Sequence, residues 1–233
     1  MKKIFRQSKN PTRLELVAVM FFSIVFVVAF LGVLLLLPAG DLNWLNGWML
    51  TALLVFYLLL VFIYFLVKDP ATLVKRSKLS TEGGDFLILG LMGLIFLALL
   101  QLPAFDYRFG WSRLPLFVSW LGFAGLIIAL LLIFYVMREN SFASKGLLIH
   151  EDQKVISTGP YSLVLHPMYS AAIIMSFSIP ITLGSLVGII PAIFIPFILA
   201  RRIRNEEKML LQELDGYSEY QQKVKYRLVP KLW

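Results

Sequence analysis

Four long apolar runs dominate the first 137 residues of the chain. A helix needs about 20 consecutive apolar residues to cross a hydrocarbon core of about 30 Å, and each run reaches or approaches that length. The shortest run carries no charged residue and can be lengthened by the flanking Gly84 or Pro103. The pattern therefore predicts four membrane-spanning helices, at residues 14–37, 48–67, 86–102 and 116–137.

A fifth apolar run, residues 170–200, is too long for one crossing and is broken at its centre. Gly184 stands there between Leu183 and Ser185, and Pro180 precedes them. Because glycine and proline interrupt helices, the run predicts a helical hairpin, with a re-entrant loop as the alternative. Irregular backbone is tolerated inside a bilayer only where protein covers it. Either arrangement brings residues 170 and 200 to the same side of the membrane.

The basic residues are distributed unequally among the segments that join these runs. Twenty of the 22 Lys and Arg residues lie in the N-terminal arm, the loop after the second run, the segment after the fourth run and the tail, which leaves only Arg108 and Arg113 elsewhere. Lys and Arg in short loops stay cytoplasmic, so both termini are predicted to be cytoplasmic. The net charge of +8 is accounted for by anionic membrane lipid and requires no nucleic-acid partner.

The composition agrees with lipid as the solvent. The chain is 59% apolar and 15% charged, whereas soluble domains are roughly half apolar and a quarter charged. We therefore predict an all-α fold, a polytopic transmembrane helical bundle with a C-terminal helical hairpin. Residues 1–137 form a four-helix scaffold, and residues 138–233 form a cytoplasmic connector, the hairpin and an amphipathic tail. The absence of cysteine excludes disulfides and thiolate chemistry, and two distant histidines do not make a metal site by spacing.

The first polar cluster, residues 157–169, precedes the hairpin. A glycine–proline pair near its start forces a turn, and Pro167 biases His166 away from the helical conformation. The cluster therefore predicts a bent connector that brings Tyr161, His166 and Tyr169 to the mouth of the hairpin. The alternative is a juxtamembrane turn whose tyrosines belong to an interfacial aromatic belt.

A second polar cluster, residues 201–207, follows the hairpin directly. Arg202 and Glu206 are four residues apart and can pair on one helical face. Arg201 and Glu206 are five apart, about 140° around the helix, and would flank a groove. The alternative is that the arginines only anchor the helix exit to lipid headgroups. Further along, Gly216 predicts a helix stop, and the aromatic residues after it predict an interfacial tail that closes over a pocket.

The order of these motifs resembles the isoprenylcysteine carboxyl methyltransferase and phospholipid methyltransferase superfamily. The resemblance covers about residues 145–233, and in the first 137 residues it is limited to the presence of membrane helices. The family pattern has arginine directly before its histidine–proline pair, where this chain has Leu165. The matching motifs are Gly159-Pro160-Tyr161, His166-Pro167-x-Tyr169, the hairpin, Arg201-x4-Glu206-Glu207, Gly216-Tyr217-x2-Tyr220 and Arg227-Leu228-Val229-Pro230.

The resemblance implies an integral membrane methyltransferase that uses S-adenosylmethionine and accepts a lipidic substrate, either a prenylcysteine-type carboxylate or a phospholipid-type amine. Arg201 and Glu206 match the catalytic pair of the family. An arginine can orient a carboxylate through two hydrogen bonds, and a glutamate can orient that arginine or take a proton from an amine. The resemblance also implies a cytoplasmic cofactor pocket lined by Gly159, Tyr161, His166, Pro167, Tyr169, Glu207 and Tyr220.

Two other functions are compatible with parts of the same pattern. Sterol-type membrane reductases place NADPH in the corresponding pocket, but their chains are generally longer, and a 2′-phosphate would require a cation that Leu165 does not supply. A non-enzymatic scaffold or lipid binder explains the basic residues but not His166 and the paired glutamates. The methyltransferase is therefore favoured, with membrane lipid and a lipidic or prenylated substrate as the predicted partners.

Overall fold

The computed structural model describes residues 12–69, 86–140 and 154–233. Within these ranges every regular element is helical, and no strand is present. The N-terminal run is one long helical segment made of α1 (Arg13–Leu31), a π-helical turn (Gly32–Leu36) and α2 (Leu37–Ala39). The next two apolar runs and the fourth form α3 (Leu45–Lys68), α4 (Phe86–Phe109) and α5 (Leu116–Glu139).

The C-terminal part of the chain contains the connector, the hairpin and the tail. The connector ends in a 3-10 turn (Gly159–Ser162). The hairpin is built from α6 (Pro167–Thr182) and α7 (Ile189–Glu213), and α8 (Tyr217–Lys223) follows in the tail. Because α7 continues well beyond residue 200, the second polar cluster lies on the same rigid helix as the second half of the hairpin.

The four predicted spans are confirmed as helices long and apolar enough to cross a membrane, at Leu14–Ala39, Leu45–Lys68, Leu87–Phe109 and Leu116–Glu139. The predicted end of the third run at residue 102 was too early, since α4 continues through Pro103 to Phe109. Pro103, Ala104 and Asp106 are buried, so packing against the hairpin stabilises these last turns despite the backbone hydrogen bond that proline removes.

The core of the bundle joins the scaffold to the hairpin. Leu35, Leu50, Leu100 and Leu126 are at most 1% exposed and belong to one cluster that also includes Ile179 of the hairpin. Many large apolar side chains on the outer faces of the same helices are exposed. In a membrane these outer faces contact lipid, so the scaffold and the hairpin form one packed unit with an apolar exterior.

Two glycines allow α5 to pack closely against α6. A Cβ built on Gly122 would lie 2.5 Å from the backbone nitrogen of Thr182, and one on Gly125 would lie 2.6 Å from the Oγ of Ser178. Small residues are what allow membrane helices to approach each other this closely. The position of α6, and of the connector that leads into it, is therefore set by its contact with α5.

The tip of the hairpin reaches the loop that joins α4 to α5. Gly184 has φ of +82°, and its carbonyl accepts a hydrogen bond from the Leu114 amide at 3.1 Å. The buried carboxylate of Asp106 accepts hydrogen bonds from the hydroxyls of Ser112 and Ser185. This loop lies at the ends of two spans. The contacts therefore favour a hairpin that extends along the whole bundle, and they do not favour the alternative of a re-entrant loop that turns back within the bilayer.

The tail folds back beside the connector at the opposite end of the hairpin. The Leu165 amide donates to the Tyr226 carbonyl at 2.8 Å, and the His166 amide donates to the Arg227 carbonyl at 2.9 Å. These bonds run between two non-helical segments that are far apart in the sequence. They place the side chains of His166 and Arg227 at the same end of α7.

Candidate active site

The connector has the turn that its sequence predicts. Gly159 has φ of +57°, and a Cβ there would lie 2.8 Å from Cγ of Glu139, so glycine is required both for the backbone conformation and for the close approach. His166 has φ of −126° and ψ of 63°, outside the helical region, and Pro167 is the first residue of α6. The turn and the start of α6 together determine the direction in which the His166 side chain points.

Glu207 lies at the centre of a buried ion cluster. Arg227 donates from Nε to Oε1 at 2.9 Å and from Nη2 to Oε2 at 2.9 Å, and His166 Nε2 lies 3.3 Å from Oε1. The side chains of Glu207 and His166 are almost fully buried, whereas that of Arg227 is 35% exposed. Burial raises the pKa of the Glu207 carboxyl, but the hydrogen bonds from His166 and Arg227 lower it by more, so the pKa lies below its ordinary value. Glu207 is therefore ionised at neutral pH.

Tyr169 connects this ion cluster to a second pair of charges. Its hydroxyl donates to Glu206 Oε2 at 2.6 Å and accepts from Arg202 Nε at 2.8 Å. Its ring stacks on the ring of His166, with centroids 5.6 Å apart. Arg202 is buried. The two glutamates, the histidine and two arginines thus form one continuous polar region around the C-terminal half of α7.

Tyr161 and Tyr220 lie beside this region. The Tyr220 hydroxyl donates to the Tyr161 carbonyl at 2.7 Å, and Asn140 Nδ2 donates to the Tyr161 hydroxyl at 2.9 Å. Tyr220 packs with Leu165 and Leu210 in an apolar cluster. Burial raises the pKa of Tyr220, and the neighbouring Tyr161 raises it further. The Tyr220 hydroxyl therefore stays protonated and joins the connector to the tail.

The structure brings most of the predicted site residues together. His166, Tyr169, Glu206 and Glu207 form the contacts described above, and Tyr161 and Tyr220 are joined next to them. Gly159 and Pro167 contribute through the backbone of the connector and the start of α6. The pattern of motifs therefore identified residues that the fold places in one region, although their roles stay predictions.

Arg202, which the sequence analysis did not include among the site residues, lies closer to the polar region than Arg201 does. Arg201 is exposed and, among the described residues, takes no part in the polar region, whereas Arg202 is buried within it. Arg202 lies three residues after the buried Leu199 and four before Glu206, on the buried face of α7 that continues to Leu210. This three- and four-residue spacing was the signal that would have identified Arg202 as a site residue.

Arg227 was also missed as a partner of Glu207. The two residues are 20 positions apart and meet because the tail folds back, so no local spacing indicates the pair. Leu165, which stands where the family pattern has arginine, is 5% exposed and packs in the apolar cluster with Leu210 and Tyr220. In this chain the position contributes packing, and the cation beside Glu207 comes from the tail.

The described residues offer no cluster of potential metal ligands around these carboxylates. The described residues contain no group of three or more His, Cys, Asp or Glu side chains that could hold a metal ion. The Glu207 charge is balanced by Arg227, and Glu206 accepts a hydrogen bond from Tyr169. His150, the other histidine of the chain, lies outside the described residues.

An apolar groove of about 580 Å³ runs between α4 and α7. On α7, Ile190, Phe194 and Phe197 line it at spacings of four and three residues, and Arg201 follows four residues later on the same helical face. The exposed guanidinium therefore stands at the end of the groove nearest the polar region. The groove is lined by Leu91, Ile95, Leu102, Ile190, Pro191, Phe194, Phe197 and Ile198.

The fold and the site together define a polytopic helical membrane protein with a buried polar site at the open end of a hairpin. Residues 117–216, less than half of the chain, match the family model described as phospholipid methyltransferase, a range that contains all of α5 except its first residue, the connector and the whole hairpin. No curated protein matches the chain.

The fold is also similar to a solved structure of the eukaryotic intramembrane Ras methyltransferase, an isoprenylcysteine carboxyl methyltransferase, determined without a monobody. The TM-score is 0.53 at 19% sequence identity, and the similarity covers 94% of this chain and 84% of that one. At this identity the likeness concerns the fold. The partial family match and the shared fold both support the resemblance to membrane methyltransferases that the order of the motifs indicated.

Proposed function

We propose that the protein is an S-adenosylmethionine-dependent methyltransferase that acts on a lipidic acceptor. The observation that carries this proposal is the pairing of the buried Glu207 and His166 with Arg227, next to Tyr169 and Glu206, in a chain that resembles membrane methyltransferases. S-adenosylmethionine supplies a methyl group activated by a sulfonium. The task of the protein is then to align the reactants and to exclude water.

The chemistry of the described residues fits a cationic cofactor. Glu206 supplies a half-buried carboxylate that accepts a hydrogen bond from Tyr169, and the stacked rings of His166 and Tyr169 provide aromatic surface. Carboxylates and aromatic faces both favour a neighbouring cation. The proposed cofactor-binding residues remain Gly159, Tyr161, His166, Pro167, Tyr169, Glu207 and Tyr220.

The groove between α4 and α7 supports a lipidic acceptor. Its apolar walls suit a hydrocarbon chain, and Arg201 stands where a headgroup would lie. An arginine there could hold a carboxylate or phosphate through two hydrogen bonds. Glu206 belongs to the polar region itself, where it could orient the acceptor or take a proton from an amine. We therefore keep Arg201 and Glu206 as the proposed catalytic pair, for a prenylcysteine-type carboxylate or a phospholipid-type amine.

The distribution of basic residues supports a cytoplasmic position for both termini and for the site. The described Lys and Arg residues of the connector and tail belong to segments that meet at the open end of the hairpin, whereas Arg108 and Arg113 lie near its tip. Short loops rich in Lys and Arg stay in the cytoplasm. In this orientation a water-soluble cofactor enters from the cytoplasm and a lipidic acceptor from the side.

Binding and transfer measurements on the detergent-purified protein test the proposal. We expect binding of S-adenosylmethionine but not of NADPH, and transfer of a labelled methyl group into a lipid or prenylated-peptide fraction of the native membrane. Binding of NADPH alone would instead identify a reductase. Failure to bind either cofactor would indicate a scaffold or a lipid binder.

A further inference from the structure

Tyr217 has a buried hydroxyl for which the described residues provide no hydrogen-bond partner. The side chain is 4% exposed and packs in the apolar cluster with Leu165, Leu210 and Tyr220. A hydroxyl buried without a partner destabilises the folded state, because it has lost its hydrogen bonds to water. Such a group therefore calls for an explanation, and a partner that arrives with a bound molecule is one.

The neighbouring Tyr220 shows that the fold can satisfy a tyrosine hydroxyl in this cluster. Tyr217 and Tyr220 belong to the same short helix, with ring centroids 5.9 Å apart. The Tyr220 hydroxyl donates to the Tyr161 carbonyl at 2.7 Å. Both aromatic rings are packed in the apolar cluster. Among the described residues, however, only the Tyr220 hydroxyl has a hydrogen-bond partner. Phenylalanine at position 217 would satisfy the fold equally well.

The Tyr217 hydroxyl lies within the electrostatic reach of the polar region. Burial raises the pKa of Tyr217, the charges of Glu207 and Glu206 raise it further, and Arg227 lowers it by less. The hydroxyl is therefore protonated at neutral pH and is available as a neutral donor. Of the two glutamates that act on it, Glu207 is a residue that the proposed function assigns to cofactor binding.

We propose that Tyr217 is a cofactor-binding residue whose hydroxyl donates a hydrogen bond to an acceptor atom of bound S-adenosylmethionine. The nucleoside and the amino-acid moieties of this molecule both offer such acceptors, in the ribose and carboxylate oxygens and the ring nitrogens of adenine. The inference rests on the proposed function and adds to it a contact that the motif resemblance did not assign. It also explains why an apolar cluster retains a hydroxyl that its own fold does not use.

The test compares Tyr217→Phe with Tyr220→Phe, since each substitution removes one hydroxyl and keeps the ring. Affinity for S-adenosylhomocysteine is measured by calorimetry on the purified full-length protein, and the unfolding midpoint is measured without ligand. Tyr217→Phe is expected to leave the ligand-free midpoint unchanged or raised and to weaken binding about three- to tenfold, the loss expected for one hydrogen bond. Tyr220→Phe is expected to lower the ligand-free midpoint, because it breaks a bond of the fold.

Three outcomes would overturn the inference. Equal affinity of the wild-type protein and Tyr217→Phe would remove the hydroxyl from the binding site while leaving the proposed function intact. A lowered ligand-free midpoint or failed folding of Tyr217→Phe would show that the hydroxyl serves the fold itself. A wild-type protein that binds neither S-adenosylhomocysteine nor S-adenosylmethionine would overturn both the inference and the proposed function.

Discussion

Several polar side chains of the site are buried, and each is stabilised by a hydrogen bond or an ion pair with a specific partner. Glu207 is held by Arg227 and His166, and Tyr169 stands between Arg202 and Glu206. Removing one member of a buried pair leaves the other without compensation, which costs more than the pair contributes as a whole. Substitutions at these positions should therefore affect stability and ligand binding together.

Glu207→Gln tests the ion cluster through its pH dependence. The pKa of Glu207 is lower in the folded protein, so its contribution to stability is fully present above the unfolded pKa of about 4.3 and is lost as the pH falls through the folded pKa. We expect Glu207→Gln to lower the free energy of unfolding at neutral pH by about 1.5–3 kcal/mol and to weaken S-adenosylmethionine binding. Thermal unfolding between about pH 3 and pH 7 should show a smaller acid-induced loss in the variant.

Glu213→Gln is the matched control for this experiment, because Glu213 is an exposed glutamate at the end of the same helix. Its substitution should leave the midpoint and the cofactor affinity unchanged. An acid-induced loss of equal size in Glu207→Gln and the wild-type protein would contradict the assigned role of the Glu207 carboxylate.

Arg201 and Arg202 provide a second comparison, because they are adjacent in sequence but lie on different faces of α7. Arg201→Ala is expected to preserve the unfolding midpoint and cofactor affinity and to reduce turnover at least about 100-fold, if the guanidinium acts on the acceptor. Arg202→Ala is expected to lower the free energy of unfolding by about 1.5–3 kcal/mol, since it removes a buried donor from Tyr169. Turnover measured beside thermal unfolding separates the two, and an active Arg201→Ala enzyme would refute the catalytic role.

The membrane-spanning helices were the part of the structure that the sequence predicted best, because length and apolar content decide whether a helix can span a membrane. The continuation of α4 beyond Pro103 was not predicted, since proline usually ends a helix and the stabilising contacts come from a distant hairpin. The same limit applies to the pairing of His166 with the tail. Hydrogen bonds between segments that are far apart in sequence leave no local periodicity to detect.

The contact between α5 and α6 can be tested with two glycine substitutions. Gly122→Ala places a Cβ 2.5 Å from the Thr182 nitrogen, so the helices must separate, and we expect a loss of about 1–3 kcal/mol in the free energy of unfolding. Because His166 directly precedes α6, cofactor affinity should fall as well. Gly93→Ala in α4 meets nothing within 4 Å and should be neutral or stabilising by up to about 1 kcal/mol. Equal effects of the two on the unfolding midpoint would show that close packing at Gly122 is unimportant.

At the scale of the whole molecule, one helix serves both proposed substrates. The buried face of α7 carries Arg202, Glu206 and Glu207, and its groove face carries Phe194, Phe197 and Arg201. Since these faces belong to one rigid element, the distance between a cofactor on one side and an acceptor on the other is set by the helix. The sequence predicted that α7 has two functional faces, because Arg201 and Glu206 lie about 140° apart around the helix. It did not predict that α4 forms the other wall of the groove, because that contact joins helices that are far apart in the sequence.

Leu91→Trp tests whether the groove admits the acceptor. Leu91 lines the groove on the α4 side, and its side chain is exposed. Because α4 and α7 run in opposite directions, Leu91 lies at the end of the groove near Arg201. A larger side chain there should raise the KM for a long-chain acceptor about tenfold, or about 1.4 kcal/mol, while cofactor affinity and the unfolding midpoint stay unchanged. Leu121→Trp on the exposed face of α5, away from the groove, should leave all three quantities unchanged. If both variants keep the wild-type KM, the acceptor must reach the polar region by another route, and Arg201 would lose the position that makes it the proposed headgroup ligand.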